Sequence, residues 1–394
     1  MTTDKIRKVA IIGSDISASI TALHFKKYLN KAPHEICIYP TEVNSLDTIR
    51  QSCDPQVLGL ISEQLDIDHY SNNLDITYNS GFLYQGWSKM KNKLNKPFEI
   101  YTPYSQRMHD CGCHLNSKKL FDCILQSKDY IIKEETIKDP EEEIDADVIF
   151  DCRNGYDRDK SKYRSLKSVV NSVLISNKKG KRKGEKNLTY TKFIAAPNGW
   201  AFVIPDLDSI QYGYVYNNTI SSKEDATEYF LKTFNLSEVD SDFTFESYAA
   251  NKWMEGNKTI LQGYMYSSVE PMDNRLHSLY KLTNQSAWDL LMGSFWSELR
   301  LIDNINAIEK FIMWHYHFGS KYKTDFWKMG ESLPFIIDAD FKDMIDNAVW
   351  ETHNFEKWAI GVGYNYGHDV IETMKSVEEF VKHDHNHGQD IDTN

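Results

Sequence analysis

The sequence predicts a mixed α/β chain: a doubly wound, Rossmann-like nucleotide-binding portion, an antiparallel sheet inserted into it, and a helical C-terminal module. Three patterns carry this. The chain opens β–turn–α–β, a later stretch pairs strand-like runs across a tight turn, and the C-terminal part switches to helical spacing rich in aromatic residues.

Residues 7–12 (RKVAII) are apolar and β-branched, Gly13-Ser14-Asp15 punctuates, and Ile20, Leu23, Phe25 and Tyr28 then give a mostly apolar helical face. A second strand-like run, Glu35 to Tyr39, completes the order with which doubly wound domains begin. Asp147 to Asp151 is another apolar run, followed by a turn at Asn154-Gly155. The runs TYTKFIA and YGYVYN lie either side of Pro197-Asn198-Gly199-Trp200, a turn signal within an antiparallel sheet. From about residue 284 the spacing is helical, through Trp288, Leu291, Phe295 and Leu299, then Ile308, Phe311, Ile312 and Trp314. The expected organisation is 1–283 for the α/β portion with its inserted sheet, 284–380 for the helical module, and 381–394 for a disordered tail carrying His383, His385 and His387.

Composition narrows the function. A hydrophobic fraction of 41% and an aromatic fraction of 13% belong to a packed globular protein. The net charge of −12 excludes a nucleic-acid binder, which needs a Lys/Arg surplus. The one basic run, Lys178 to Lys186, is broken by glycines and reads as a solvated loop. No apolar stretch approaches the ~20 residues a bilayer span needs, and the N-terminus shows no signal-peptide cleavage site, so a cytoplasmic protein off the membrane is expected. The six cysteines are scattered, as reduced thiols would be, and Cys111-Gly-Cys113 is too close for a usual metal pair. His315 and His317 are better explained by packing than by metal, and no metal site is expected.

The glycine loop is where the pattern departs from its type. A dinucleotide loop G-x-G-x-x-G needs its second glycine so that backbone can touch the pyrophosphate. Here Gly13 to Ala18 reads GSDISA: Gly13 is in place, Ser14 follows, Ala18 stands in for the third glycine, and Asp15 replaces the second. Two unit charges at about 4 Å repel by roughly 4 kcal/mol at an effective dielectric of about 20, which would cancel much of the helix N-terminus attraction. The acid expected to hold a ribose is also missing, since Tyr39-Pro40 stands there and Glu42 would have to reach round. This unit therefore reads either as a nucleotide site or as scaffold only.

The stretch Asn198 to Asn217 (NGWAFVIPDLDSIQYGYVYN) resembles the Gly-Trp-x-Trp-x-Ile-Pro signature of flavin-dependent tryptophan halogenases, with Gly199, Trp200, Ile204 and Pro205 matching and Phe202 in place of the second tryptophan. Glu270-Pro271-Met272-Asp273 is similar to that family's Glu-Pro-Leu-Glu, and Trp314 to Trp327 to its His-Tyr…Asp-x-Phe-Trp stretch. Weaker likenesses lie at His114-Leu115-Asn116, Ala146 to Gly155 and Trp358 to Gly363. The resemblance implies an FAD-binding Rossmann-like fold of the halogenase/monooxygenase kind, in which reduced FAD, dioxygen and halide act on a small aromatic substrate and a separate flavin reductase supplies the cofactor. On it, Gly13, Ser14, Asp15, Ala18, Gly199, Trp200, Ile204 and Pro205 would serve the cofactor.

The same resemblance marks the losses. The family lysine lies in a run like Asp-Ala-Thr-Phe-Lys; here Asp75 to Asn79 puts Asn79 at that position, eight residues before Trp87. An amide nitrogen is not a nucleophile, though it can donate a hydrogen bond. Lys89, Lys91 and Lys93 are out of register. Asp273 takes the place of the assisting glutamate, and Asn274, Arg275 and Leu276 replace the turn whose backbone holds halide. Two readings stand: a flavin-dependent halogenase-like oxidoreductase, catalysing with Asn79 and Asp273, or a pseudoenzyme that keeps the fold as a binding or regulatory protein. A nicotinamide-dependent enzyme is a third, resting on the opening unit alone. A homo-oligomer is compatible with each.

Overall fold

The computed structural model describes residues 7–29, 34–67, 74–88, 99–103, 111–180, 189–272, 280, 283–287, 298–317 and 319–333. Along the chain, β1 (Lys8–Ile12), α1 (Ile16–Leu29) and β2 (Glu35–Tyr39) form the opening unit. There follow β3 (Gln51–Cys53), α2 (Pro55–Leu65), β4 (Thr77–Asn79), β5 (Gly81–Gln85), β6 (Glu99–Pro103), β7 (Gly112–Leu115) and α3 (Ser117–Gln126). Next come β8 (Ile131–Ile132), α4 (Pro140–Glu143), β9 (Val148–Asp151), β10 (Tyr163–Ser165), β11 (Ser172–Lys179), β12 (Thr191–Ala196), β13 (Gly199–Pro205) and β14 (Ser209–Tyr216). Then α5 (Lys223–Phe234), β15 (Ser241–Thr244), β16 (Tyr248–Ala250), β17 (Met254–Glu255), β18 (Thr259–Leu261) and β19 (Ser267–Ser268) precede α6 (Glu298–His317) and α7 (Asp325–Ser332).

The first sheet has the order β17-β18-β9-β1-β2-β8 and is parallel except for the edge pair β17–β18. Val9 to Ile12 are buried without alternation, as a parallel strand covered on both faces requires. Helix α1 is buried on nearly every side, from Ile16 to Phe25, so its sequence needs no sharp amphipathic stripe. Gly13 has φ +148°, and a Cβ there would lie 2.4 Å from the Cys152 carbonyl oxygen, so this glycine serves the close passage of β1 beside the end of β9.

The second sheet, β15-β11-β14-β13-β12-β5-β6, is antiparallel apart from the parallel pair β5–β12. The chain leaves the first sheet after β9, builds most of the second, and returns as β18 beside β9. That is the inserted antiparallel sheet the sequence predicts. One detail differs: Gly199 and Trp200 belong to β13, and the turn is only Pro197-Asn198, because Ala196 pairs directly with Gly199. Along β13, Trp200, Phe202 and Ile204 face the main core, while Ala201 and Val203 pack toward Phe230 of α5.

The C-terminal helices are fastened to this sheet by indoles. Trp87 meets Trp327 edge-on at 5.4 Å and Trp200 at 6.0 Å. Each ring N–H has a partner: Trp87 donates to the Phe193 carbonyl (3.1 Å), Trp327 to the Ala196 carbonyl (2.8 Å), and Trp200 to the Tyr316 hydroxyl (2.7 Å). Burying one such side chain contributes about 4–6 kcal/mol by area. Residues 283–287 and α6 are helical, as the spacing predicts; Trp288, Leu291, Phe295, Trp358 to Gly363, the basic run beyond Gly180, Lys89, Lys91, Lys93 and the His-rich tail lie outside the described residues.

Phe202 stands directly over Gly213 of β14, where an added Cβ would fall 1.9 Å from the ring. Gly213→Ala is therefore expected to lower stability by about 1–3 kcal/mol, as overpacked cores do, measured by urea unfolding. An unchanged midpoint would show that the ring moves aside freely.

Candidate functional site

At the start of α1, Asp15 caps the helix. Its Oδ1 accepts from the Ala18 N–H (2.9 Å) and the Ser17 hydroxyl (2.6 Å). The side chain is 1% exposed, turned beneath the loop rather than out toward a ligand. Ser14 lies beside it, its hydroxyl oxygen accepting from the Thr41 N–H at 2.9 Å. A second acid, Asp47, arrives from residues 40–50 and is also buried; its backbone carbonyl accepts from the Ser117 hydroxyl at 3.0 Å. Burial pushes Asp15 up to about 8, with the charge of Asp47 adding to it. Burial also pushes Asp47 up to about 6. The pair titrates as one unit and holds a proton near neutral pH.

This corrects the charge argument made from the sequence. Burial favours the protonated form of Asp15, and Asp47, which the glycine pattern gave no reason to single out, adds a second buried carboxyl beside it. Tyr39 is buried at the end of β2 and Glu42 is exposed, so no acid stands where a ribose would be held. The Asp15 Oδ2 and Asp47 Oδ1 atoms are buried without a hydrogen-bond partner among the described residues. The loop as folded here does not fit a pyrophosphate, because the Asp15 carboxyl already takes the Ala18 N–H that one would use.

Beside this loop lies a cavity of about 60 Å³, lined by Leu46, Ile49 and Arg50, by Gln51 and Ser52 of β3, by Thr191, Phe193, Phe202 and Ile204, and by Tyr264, Val269, Glu270 and Pro271. That volume holds a few waters or a small ion; a dry cavity that takes benzene is nearer 150 Å³. One wall is a buried hydroxyl–imidazole chain, Ser52 Oγ to Thr191 Oγ1 (2.9 Å) to His114 Nε2 (2.8 Å). Burial, then the neighbouring Arg50, pushes His114 down to about 3, so the ring is neutral. Arg50 is ion-paired with Asp206 and donates to the Asp75 carbonyl.

The opposite wall carries Glu270, 1% exposed. Tyr316 donates to its Oε1 (2.6 Å) and Ser168 to its Oε2 (2.9 Å), and Tyr316 accepts from Trp200. Burial, reinforced by Glu270, holds the Tyr316 hydroxyl well above the ordinary tyrosine range, so it stays a donor. The halogenase-like motifs thus meet physically: β13, the Glu270-Pro271 turn and α6 are joined by one chain of hydrogen bonds. Trp200, expected from the sequence to serve the cofactor, has its indole N–H engaged with the Tyr316 hydroxyl.

The other expected residues are not gathered here. Asn79 is fully buried at the end of β4, its Oδ1 accepting from the Gly81 N–H at 3.1 Å, and it does not line the cavity. Of the cofactor set, Ile204 reaches the cavity; Gly199 starts β13, and Pro205 ends it and accepts from Thr77 Oγ1. Asp273, Asn274, Arg275 and Leu276 lie outside the described residues. His315 is buried with its Nδ1 2.7 Å from the Phe311 carbonyl, and its ring packs on Tyr84 and Trp87. Among the described residues no His/Cys/Asp/Glu cluster could hold a metal, and no helix is long and apolar enough to cross a membrane.

Two outcomes follow. Asp15 has a folded-state pKa above its unfolded value, so its contribution is complete only below about pH 4 and is lost as pH rises toward 8. Asp15→Asn keeps the cap and should gain stability over the parent progressively from pH 5 to 8; parallel urea midpoints across that range would overturn the assignment. Tyr316→Phe leaves a buried indole N–H and a carboxylate oxygen each short of a partner, at a cost of about 2–5 kcal/mol. A variant within about 0.5 kcal/mol of the parent would show that the chain of bonds contributes little.

The tryptophan halogenase family model matches residues 112–335. The tryptophan 6-halogenase ThaL of Streptomyces albogriseolus is 24% identical over 157 residues, covering 36% of this chain and 29% of that one. The tryptophan 7-halogenase KtzQ of Kutzneria sp. is 23% identical over 159 residues, 37% and 29% of the two chains. The matched stretch thus spans under a third of these curated relatives. Among solved structures, the flavin-dependent halogenase BrvH from Brevundimonas sp. superposes with a TM-score of 0.74 at 14% identity, covering 95% of each chain. A tryptophan halogenase from Shewanella frigidimarina gives 0.75 at 16% identity, covering 92% of this chain and 90% of that one. At such identities these likenesses show the fold, and the sequence match over more than half the chain shows the family: the chain belongs to the tryptophan halogenases.

Proposed function

We propose that the chain is a flavin-dependent halogenase-like oxidoreductase that acts on a small aromatic substrate, with a flavin reductase as its partner, FAD as the flavin and halide as co-substrate. One observation carries the reading: residues far apart in sequence, Ser52, Thr191, Phe202, Ile204, Glu270 and Pro271, converge on one cavity beside the nucleotide loop. The 60 Å³ of that cavity suit a small species in passage, not the aromatic substrate itself.

This chain's own residues set what such chemistry can be. Trp200, Tyr316 and Ser168 hold Glu270, and with it the turn that leads to Asp273. Phe193, Phe202 and Ile204 keep the cavity wall apolar. The Asn79 amide is buried off the cavity with its Oδ1 on the Gly81 N–H, and it cannot form a covalent nitrogen–halogen bond in the way an amine does. That leaves Asp273 as the proposed acid–base group. The family suggests a cytoplasmic enzyme.

A second reading, a binding protein without turnover, is favoured by the closed loop at Asp15 and Asp47 and by Asn79. Turnover separates the two. With a flavin reductase, FAD, bromide and a panel of indoles, the first reading expects brominated product, a loss of about 100-fold in Asp273→Ala and recovery in Asp273→Glu. No product from any of the three proteins, with flavin still bound, would leave the binding reading in its place.

A further inference from the structure

We infer that Cys53 and Cys113 form a redox modification site, a thiol pair that a peroxide closes into a disulfide between β3 and β7. The inference stands whether or not the chain takes a flavin. It begins with register. Strands β3 and β7 are antiparallel neighbours, and Cys53 stands directly opposite Cys113, next to the facing pair Ser52 and His114. Opposed residues in such a ladder have Cα atoms about 4.5–5.5 Å apart, and a disulfide accepts about 4.4–6.8 Å. Their Cβ atoms stand at about 4.5–5.5 Å, so reaching the range of a disulfide takes a shift of about 1 Å or less.

Both thiols are free, fully buried and part of the main core. Side chains alternate along a strand, so the two share the face opposite to Ser52 and His114. Other small apolar residues would pack there equally well; what two facing thiols add is the capacity to bond. A buried pair does not start that reaction. The thiolate is the nucleophile, and burial, reinforced by Cys113, holds the Cys53 thiol well above the ordinary thiol range. Cys111 can start it. It is free and half-buried, one residue before β7 begins. Two residues span at most about 7 Å, and Gly112, without a Cβ, lets the chain close that span to Cys113.

The steps balance. The Cys111 thiolate breaks the O–O bond of hydrogen peroxide, giving the sulfenic acid and a hydroxide that is protonated to water. The Cys113 sulfur displaces the sulfenic oxygen, which leaves as a second water with the Cys113 proton. Cys53 then attacks the Cys113 sulfur, and Cys111 leaves as a thiol carrying the Cys53 proton. Two thiols and one peroxide have become one disulfide and two waters. The bridge bears on the cavity, because the strands it fastens carry Ser52, on the wall, and His114, at the far end of the hydroxyl chain. It also closes a loop that holds β4, β5 and β6, with Asn79 and Trp87.

The experiment treats the full chain, reduced and freed of reductant, with equimolar hydrogen peroxide, alkylates the remaining thiols in denaturant, and maps a non-reduced digest by mass. The expected product is a Cys53–Cys113 cross-linked peptide, with the other four of the six cysteines alkylated and all six recovered after dithiothreitol. The oxidised chain should melt about 2–6 °C above the reduced one. Cys111→Ala is expected to form the same bridge about tenfold more slowly, and Cys53→Ala to stop at a Cys111–Cys113 bridge. The parent digest needs no variant, so it answers even where a variant fails to fold. Cys53 and Cys113 both alkylated after peroxide, or a parent product that ends at Cys111–Cys113 or at sulfinic acid, would overturn the inference. A bridge formed at the parent's rate in Cys111→Ala would overturn the entry at Cys111.

Discussion

A carboxylate in an apolar interior survives only with donors arranged around it, and Glu270 is where this chain meets that requirement. Tyr316 comes from α6, Ser168 from the approach to β11, and Trp200, which completes the chain of bonds, from β13. Three distant segments must be in register before the Glu270 charge is tolerated. The same contacts set the turn at Pro271 against the cavity and the C-terminal helices against the antiparallel sheet. Position and stability are here one constraint, because losing any donor leaves a buried polar atom exposed to the low dielectric.

The opposite end of the cavity answers to a different balance. The N-terminus of α1 attracts negative charge, and the chain satisfies it with two acids in a space where burial penalises both. Helix attraction and desolvation pull against each other there, whereas Glu270 is met by the hydroxyls of Tyr316 and Ser168. The cavity thus lies between the turn at Glu270 and the segment that carries Arg50, which is ion-paired with Asp206.

Much of the fold was legible in the sequence because it rests on periodicity. Unbroken apolar runs marked β1, β2 and β9, and the Gly199 to Pro205 stretch marked the strand that faces the core with Trp200, Phe202 and Ile204. The site was less legible, since its partners are set by long-range packing. Nothing local to Asp47 announces that it will reach α1; it sits in a short 3-10 turn capped by Asn44. His114 was noted only as part of a weak motif, and its hydroxyl chain to Thr191 and Ser52 spans three strands. Asp15 was identified as the departure, but a linear pattern cannot say that its carboxyl turns inward to cap the helix.

The pattern of retained and altered residues separates packing from purpose. Trp87, Trp200 and Trp327 each have a ring N–H satisfied inside the core, so stability alone accounts for their presence in a family member. Asn79 follows the same logic, closing its own turn onto the Gly81 N–H. Asp15 does not. Serine or asparagine would cap α1 equally well without an ionisable group in a buried place, and glycine would restore the open loop. A buried acid with a raised pKa lowers stability at neutral pH, so drift toward a stable scaffold does not select it. The buried carboxyl of Asp15 lies beside that of Asp47 at the start of α1, where helix attraction and the cost of burial oppose each other.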